Sequence, residues 1–366
     1  MARPSYAGIA CLLLIVFGAT FARAEEPRPK KRFVMPASFQ MEVPNVVAPT
    51  MGGNQLWEDE HYFGLWRIQR NVLTGHHRLL NPQDVRYESG TFDQCQQKLE
   101  ALKKEKSLQP TRGKVVVMLH GLMGSRLIMT PFARYLEREG GYTVISMTYA
   151  STRAGVDEHA QALAAVMDSL DEATEINFVA HSLGNLVVRH FLGDLQANAQ
   201  EVDPRINRFV MVGPPNQGAR LAVMLGKNPI FDNTLGQSGQ QLGHRWEELA
   251  PRLVTPEFEF GVLAGGKGNT TGITPLLPGD DDGIVRVAEA RLAGASDFTI
   301  VDVHHLLMTL NPTVHDRTLR YLKEGRFLAE GEPRPIEVDD PTPPTGPKQT
   351  APTSAETART ERTKTR

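Results

Sequence analysis

The chain has 366 residues, of which 40% are hydrophobic and 22% are charged, and its formal net charge is -2. This composition is typical of a globular protein with enough apolar residues for one large or two ordinary domains. Acidic and basic residues are interspersed along the chain, which argues against a nucleic-acid-binding surface and against an electrostatically driven membrane partner.

The first residues carry the pattern of an export signal. Arg3 precedes an apolar run from Ile9 to Phe21, and the small-residue motif Ala22-Arg23-Ala24 follows it. This pattern predicts a signal peptide over residues 1–24 and a secreted or periplasmic mature protein. The alternative is an uncleaved membrane anchor, although the run is short for a span of about 20 residues. Cleavage would remove Cys11 and leave Cys95 as the single cysteine of the mature protein, so no internal disulfide is expected.

Residues 25–110 form an N-terminal extension to which the sequence assigns no function. The extension contains an aromatic patch from Trp57 to Trp66 and a charged, helix-like stretch from Cys95 to Lys106. His76 and His77 suggest a metal site, but adjacent side chains point to different sides of a strand or helix. A surface loop is the simpler interpretation of this pair.

Residues 111–327 alternate between apolar strands and helices. The predicted strands are Val115–Leu119, Tyr142–Tyr149, Ile176–Ala180, Arg208–Val212, Phe258–Ala264 and Phe298–Val303. The predicted helices are Pro131–Glu139, Asp157–Leu170, Leu183–Leu195 and Thr313–Leu322. Continuous apolar strands that alternate with helices predict an α/β fold, in which a mostly parallel sheet is covered by helices on both faces.

Two segments depart from this alternation. Residues 219–256 are rich in Gly, Gln and Asn, and they fit either a cap or lid over the active face or an ordinary long excursion. Residues 328–366 are rich in Pro, Thr and charged residues, and this composition predicts a disordered tail.

A candidate nucleophile stands where a predicted strand meets a predicted helix. Ser182 is flanked by the small residues Ala180 and Gly184, two positions before and two after it. Small residues at these positions permit a sharp turn that exposes the hydroxyl at the carboxyl edge of the sheet. A serine hydroxyl is a weak nucleophile at neutral pH, so a general base and an orienting carboxylate are needed as well.

The acid and the base are expected later in the chain, in that order. Asp282 follows the Phe258–Ala264 strand in a Gly-flanked loop and is the predicted acid. A solvated surface or a calcium site are the alternative interpretations of the run Asp280-Asp281-Asp282. The base should follow the next strand, where His304 and His305 both qualify by position.

An oxyanion hole requires two backbone N–H donors. The residue after the nucleophile, Leu183, supplies the first candidate. The second candidate is Leu122, in the glycine-rich turn from His120 to Gly124, with Met123 as the fallback. His120 is expected to hold this loop by hydrogen bonding.

The motifs together resemble those of bacterial lipase-like α/β-hydrolases. The matching motifs are His120-Gly121-Leu122, Ala180-His181-Ser182-Leu183-Gly184, Val188-Arg189-His190, Gly213-Pro214-Pro215-Asn216-Gln217-Gly218, Gly261-Val262-Leu263-Ala264-Gly265, Leu277-Pro278-Gly279, Asp282-Gly283 and Gly325-Arg326-Phe327. The resemblance covers about residues 114–327 and implies the α/β-hydrolase fold. In that family Asn-Pro follows the late histidine after a short apolar stretch, which through Asn311-Pro312 implies His305 as the base. Ala180 departs from the usual glycine, and the second histidine is also unusual.

The resemblance implies a serine hydrolase that cleaves carboxylic esters as lipases and esterases do, and the predicted signal peptide implies that this hydrolase is exported. Its triad would be Ser182, His305 and Asp282, and the Leu122 and Leu183 amides would bind the oxyanion. No cofactor, metal, nucleic acid or partner protein is expected. The substrate would be a small-molecule or lipid ester. Transient contact with a lipid interface is compatible with such a substrate. The alternatives are an acyltransferase or thioesterase on the same triad, and a non-catalytic binding protein on the same fold.

Overall fold

The structure is a computed structural model that describes residues 48–50, 55–226 and 229–337. The predicted signal peptide, residues 1–24, and residues 338–366 of the predicted tail lie outside the described residues. The described chain contains a five-stranded sheet near its N-terminal end and a six-stranded sheet after it.

The five-stranded sheet and one helix account for the described part of the N-terminal extension. The strands are β1 (Ala48–Pro49), β2 (Trp57–Phe63), β3 (Trp66–Asn71), β4 (His77–Leu80) and β5 (Val85–Gly90). They pair antiparallel in the order β1-β5-β4-β3-β2. Helix α1 (Phe92–Lys106) begins at a capping box formed by Thr91 and Gln94. Its buried side chains Cys95, Leu99 and Leu102 pack against the sheet, so this extension has a small core of its own.

The six-stranded sheet is parallel throughout. Its strands are β6 (Gly113–Leu119), β7 (Thr143–Met147), β8 (Ala173–His181), β9 (Ile206–Val212), β10 (Phe260–Gly265) and β11 (Asp297–Val301), in the order β11-β10-β9-β8-β6-β7. The helices are α2 (Thr130–Gly140), α3 (Val156–Met167), α4 (Leu183–Ala197), α5 (Arg220–Leu225), α6 (Pro229–Leu242), α7 (Trp246–Leu249), α8 (Val287–Ala290) and α9 (Pro312–Glu324). Short 3₁₀ segments cover Arg126–Met129, Ala250–Arg252 and His305–Leu310.

Two separate apolar clusters cover the two faces of this sheet. Val115 and Val117 of β6 pack in one cluster with residues of α3 and α4. Val116 and Met118 pack in the other cluster with residues of α2 and α9. Side chains of a strand point alternately to opposite faces, so continuous apolar strands serve both clusters. The predicted parallel sheet with helices on both faces is confirmed.

The insertion over residues 219–256 contains α5, α6 and α7 and packs on the loop after β7. Ser238 donates a hydrogen bond to the Ala154 carbonyl at 2.9 Å, and the Val156 N–H donates to Gln241 at 2.9 Å. A Cβ on Gly239 would lie 3.5 Å from the Leu122 side chain, so α6 also runs beside that residue. No helix within the described ranges is long and apolar enough to cross a membrane.

The predicted start of the disordered tail, residue 328, is too early. Residues 328–337 belong to the described chain, and Ile336 in this stretch is 2% exposed. The Ile336 N–H donates to the Ala295 carbonyl, and the Ile336 carbonyl accepts from the Gly294 N–H. The buried Ile336 side chain, these two hydrogen bonds and a third from the Arg334 N–H to Asp297 attach this stretch, although its composition by itself predicts disorder.

Candidate active site

Ser182 occupies a strained turn between β8 and α4. Its φ of 54° and ψ of -121° lie in a region that L-residues with a side chain rarely adopt. The turn brings α4 close to β6, because a Cβ on Gly184 would lie 2.8 Å from the Leu119 side chain and 2.9 Å from the Leu119 carbonyl. Glycine is therefore required at position 184. The turn is also held by a hydrogen bond in which the Ser182 N–H donates to the Val212 carbonyl at 3.0 Å.

The position of this turn in the sheet decides the fold. The turn follows the carboxyl end of β8, which lies between β6 and β9 in an all-parallel sheet. A strained serine at a strand-to-helix turn in such a sheet is the nucleophile elbow. The chain has the α/β-hydrolase fold. Its three predicted site residues come from loops that follow the carboxyl ends of β8, β10 and β11.

In this fold the predicted acid, base and nucleophile are joined by hydrogen bonds. Ser182 Oγ lies 2.9 Å from His305 Nε2, and His305 Nδ1 lies 2.7 Å from Asp282 Oδ2. A carboxylate only accepts hydrogen bonds, so Nδ1 carries the proton and Nε2 accepts from the serine hydroxyl. Asp282 and His305 are 1% and 2% exposed and Ser182 is 9% exposed, so Ser182 is the most exposed of the three residues.

Further hydrogen bonds hold the Asp282 carboxylate and the backbone of His305. Asp282 Oδ1 accepts from the N–H groups of Ile284 and Val285 at 3.0 and 2.8 Å. The His305 N–H donates to the Asp282 carbonyl at 2.9 Å. The His181 ring donates from Nε2 to the His305 carbonyl at 3.1 Å. Burial, and then the neighbouring His305, hold the pKa of His181 well below its usual range, so His181 remains a neutral donor.

The contact of His181 with the loop that carries His305 was not expected from the sequence. The position of His181 directly before the serine is the one sequence feature that could have indicated this contact. The side chain before the nucleophile points to a different side of the turn from the nucleophile itself. A hydrogen bond from this residue to the loop carrying the base cannot be derived from spacing, since the two residues are 124 positions apart.

His304, the alternative base, lies away from the serine. Its ring packs over Gly283, where a Cβ would lie 2.5 Å from His304 Nε2. Its Nδ1 accepts from the Leu306 N–H at 3.4 Å and so caps the 3₁₀ segment that begins at His305. Burial lowers the pKa of His304. The structure thus brings His305, and not His304, to Ser182.

The two candidate oxyanion donors lie in different local structures, one at the start of a helix and the other in a turn. Leu183 begins α4, where the first N–H groups of a helix have no acceptor within the helix. Leu122 lies in a turn in which the Gly124 N–H donates to the Gly121 carbonyl at 3.0 Å. Met123 has a φ of 59° and the Leu122 φ is negative, which defines a type II turn. The fallback donor is occupied, because the Met123 N–H donates to Ser151 Oγ at 3.1 Å.

His120 holds the start of this turn. Its Nδ1 donates to the Gly121 carbonyl at 2.8 Å, and its ring stacks on Tyr149 with 4.1 Å between the ring centroids. The Tyr149 hydroxyl donates to the His120 carbonyl. Burial lowers the pKa of His120 to about 4, so the ring is neutral at neutral pH.

The acidic run before the candidate acid bonds to its own loop. Asp281 Oδ1 accepts from the N–H groups of Thr274 and Gly283, and Asp280 accepts from those of Lys267 and Gly268. Within the described ranges no group of three or more His, Cys, Asp or Glu side chains is arranged to hold a metal ion. His76 and His77 separate as expected: His77 pairs with Glu60 and the His76 ring contacts Trp57 edge-on.

A second serine–histidine–carboxylate arrangement occurs away from this site. Ser238 Oγ lies 3.2 Å from His159 Nε2, and His159 Nδ1 lies 2.7 Å from Glu58 Oε1. All three residues are 0% exposed, and the Ser238 hydroxyl donates to the Ala154 carbonyl. This buried group joins β2, α3 and α6, and its serine has no access to a substrate.

Solved structures that are similar to this chain match it at low identity and with low TM-scores. Phospholipase PlaB from Legionella pneumophila, in complex with thio-NAD, is 21% identical over 49% of this chain and 44% of that chain, with a TM-score of 0.40. The chain thus spans less than half the length of that protein. The mature lipase BlEst2 from Bacillus licheniformis is 18% identical over 54% and 86% of the two chains, with a TM-score of 0.39. A hyperthermophilic esterase from the archaeon Pyrobaculum calidifontis is 15% identical over 59% and 76%, with a TM-score of 0.42.

Comparisons by sequence assign no activity. A family model described as a domain of unknown function (DUF7379) matches residues 82–234, which is less than half of the chain. No curated protein matches the chain. The fold assignment therefore depends on the strand order and on the Ser182 turn.

Proposed function

We propose that this protein is a serine hydrolase that cleaves carboxylic esters through an acyl-enzyme on Ser182. The observation that carries the proposal is the pair of hydrogen bonds that link Ser182 Oγ to His305 Nε2, at 2.9 Å, and His305 Nδ1 to Asp282 Oδ2, at 2.7 Å. This geometry matches the nucleophile, general base and orienting acid that acyl transfer requires.

In the first half of the reaction, Ser182 Oγ attacks the ester carbonyl carbon while its proton moves to His305 Nε2. Asp282 stabilises the imidazolium, and the N–H groups of Leu122 and Leu183 donate to the oxyanion. When the tetrahedral intermediate collapses, His305 returns the proton to the leaving alcohol and the acyl group stays on Ser182. A water molecule then repeats the sequence and releases the carboxylic acid.

The ester chemistry and the location of the protein are parts of the same proposal. The sequence motifs resemble those of lipase-like hydrolases, which favours carboxylic or lipid esters as substrates. The insertion over residues 219–256 runs beside Leu122 and would act as a cap on the acyl group. The N-terminal pattern supports export to the periplasm or the medium. Sequencing the mature N-terminus tests export, and a start near Glu25 is expected.

The decisive experiment is covalent labelling of the purified protein with a fluorophosphonate, which reacts with activated serines. The wild type should be labelled, and Ser182→Ala should not. Ser238→Ala is the matched control, because Ser238 also contacts a histidine that is paired with a carboxylate, but is fully buried. This control should be labelled as strongly as the wild type.

Turnover of a series of nitrophenyl esters, from acetate to palmitate, then tests ester hydrolysis and reports the preferred acyl length. An added alcohol acceptor separates hydrolysis from acyl transfer, since a transferase would form a new ester in preference to the free acid. A folded wild type that is neither labelled nor active would overturn the proposal in favour of a binding protein on this fold.

A further inference from the structure

The turn that carries Leu122 is held by a residue of the N-terminal extension. Gln55 Nε2 donates to the Gly124 carbonyl at 2.9 Å, across 69 positions of sequence. The other end of the same amide, Oε1, accepts from the Thr152 N–H at 2.9 Å and from the Thr152 hydroxyl at 2.8 Å. One side chain thus ties the turn after β6 to the loop after β7.

Ser151 closes a second connection between the same segments. Its hydroxyl lies within 3.2–3.3 Å of both ends of the Gln55 amide, and it accepts the Met123 N–H at 3.1 Å. Ser151 is 0% exposed. Met123 and Gly124 are therefore both fixed by hydrogen bonds that lead to Gln55, and these two residues directly follow Leu122.

The backbone at both ends of this contact is strained. Met123 and Gln55 have φ values of 59° and 63°, in the left-handed region that side chains other than glycine rarely adopt. Such a conformation persists where the surrounding structure holds it, and it is frequent at functional sites. Met123 is held in this conformation by the Gly124–Gly121 hydrogen bond of the turn, by the hydrogen bond from its own N–H to Ser151 and by the one from Gln55 to the Gly124 carbonyl.

Two further contacts attach the N-terminal sheet at the same edge. Asp59, which is 0% exposed, accepts from the Thr148 N–H at 2.6 Å, and its own N–H donates to the Thr148 carbonyl at 2.9 Å. Asp84 pairs with Arg126, in the 3₁₀ segment that follows the turn. These contacts also attach the sheet to the loops after β6 and β7 that Gln55 joins.

We infer that Gln55 is a positioning residue for the reaction, because it fixes the type II turn that aims the Leu122 N–H at the oxyanion. The inference depends on the proposed function for the identity of the oxyanion. It also assigns a role to the N-terminal extension. The α/β sheet and the hydrogen bonds among Ser182, His305 and Asp282 do not by themselves give this extension a role. Gln55 acts through the backbone of residues 122–124 and does not touch the substrate.

The test compares Gln55→Ala and Gln55→Glu in the full chain. Glutamate matches glutamine in shape and can still accept from Thr152, but an ionised carboxylate cannot donate to the Gly124 carbonyl. A packing role would tolerate this change, whereas the positioning role would not. Gln83→Ala is the control, because Gln83 is an exposed glutamine in a turn of the same sheet.

Two measurements are made on each variant. Hydrogen exchange of the peptide that contains Met123 and Gly124 should be about tenfold faster in both Gln55 variants, because the turn loses the hydrogen bond from Gln55 to the Gly124 carbonyl and opens more often. The kcat for the best nitrophenyl ester should fall about 10- to 100-fold while KM changes less than about twofold, since a displaced donor weakens binding of the transition state only. Gln83→Ala should match the wild type in both measurements.

The outcomes separate this inference from the proposed function. Unchanged exchange in both Gln55 variants overturns the inference, whatever the activity of the wild type. Faster exchange with an unchanged kcat in an active enzyme overturns the positioning role. If the wild type lacks esterase activity and the exchange result holds, the proposed function fails, and the role of Gln55 in holding the turn stands.

Discussion

His305 Nε2 lies 2.9 Å from Ser182 Oγ, whereas the ring of the adjacent His304 packs over Gly283. His304 has an extended backbone and His305 begins the 3₁₀ segment, so their side chains point in different directions and His305 is the one that reaches the serine. His304 instead caps the 3₁₀ segment with its Nδ1 atom. The pair therefore divides into a candidate base and a capping residue.

The first prediction concerns which of the two adjacent histidines acts as the base. His305→Ala should lower kcat/KM by more than about 10³-fold, because the serine loses its base. His304→Ala should keep kcat/KM within about tenfold of the wild type and lower the free energy of unfolding by about 1 kcal/mol, through loss of the cap. Ester turnover and thermal melts of the two variants check this. The assignment of the base fails if His304→Ala is the less active variant.

The second prediction concerns the tautomer of His305. Asp282→Asn keeps an oxygen that can accept from Ile284 and Val285, but it places an N–H donor where Nδ1 needs an acceptor. The ring would then present its proton to Ser182, and kcat should fall by about 10⁴-fold. Asp280→Asn is the control, since Asp280 accepts only from loop N–H groups of Lys267 and Gly268. Equal losses in the two variants would remove Asp282 from the site.

The α/β sheet was predictable because its strands are buried on both faces and therefore consist of apolar runs. Val115–Leu119 is such a run, and the strand β6 matches its position within two residues. The order of serine, acid and histidine along the chain is also visible in the sequence. The choice between His304 and His305 was not visible in their positions, since it depends on where the Asp282 loop places Gly283.

The N-terminal sheet was not predictable, because its pattern of burial does not follow hydrophobicity. Glu58 and Asp59 in β2 are 0% exposed, where their charges are met by Arg70 and Arg67. Buried ion pairs of this kind put charged residues at positions that a pattern of apolar and polar residues assigns to solvent. The contact of Gln55 with Gly124 is equally invisible, because neither residue type indicates a partner 69 positions away.

The third prediction concerns His120 and acid stability. Burial lowers its pKa in the folded protein from 6.5 to about 4, so the unfolded chain binds a proton at a higher pH than the folded protein does. The free energy of unfolding should therefore fall as the pH drops from about 6.5 to about 4, and His120 should contribute about 3 kcal/mol of this loss.

Urea unfolding of the wild type and of His120→Gln at several pH values measures this contribution. The variant should be less stable at neutral pH, because it loses the stacking on Tyr149, and its stability should depend less steeply on pH. His244→Gln serves as the control for the loss of a histidine, since His244 is exposed. Parallel curves for His120→Gln and the wild type would show that His120 titrates normally in the folded protein.

The fourth prediction isolates the Leu122 N–H. Proline suits the second position of a type II turn, which Leu122 occupies, so Leu122→Pro should preserve the turn while it removes the hydrogen of one oxyanion donor. Because the donor acts in the transition state, kcat should fall about 10²- to 10³-fold with little change in KM. Leu122→Ala is the matched control, since it shortens the side chain and keeps the N–H. Steady-state kinetics of both variants decide the point: a Leu122→Pro enzyme with the kcat of Leu122→Ala would mean that the second oxyanion donor lies elsewhere.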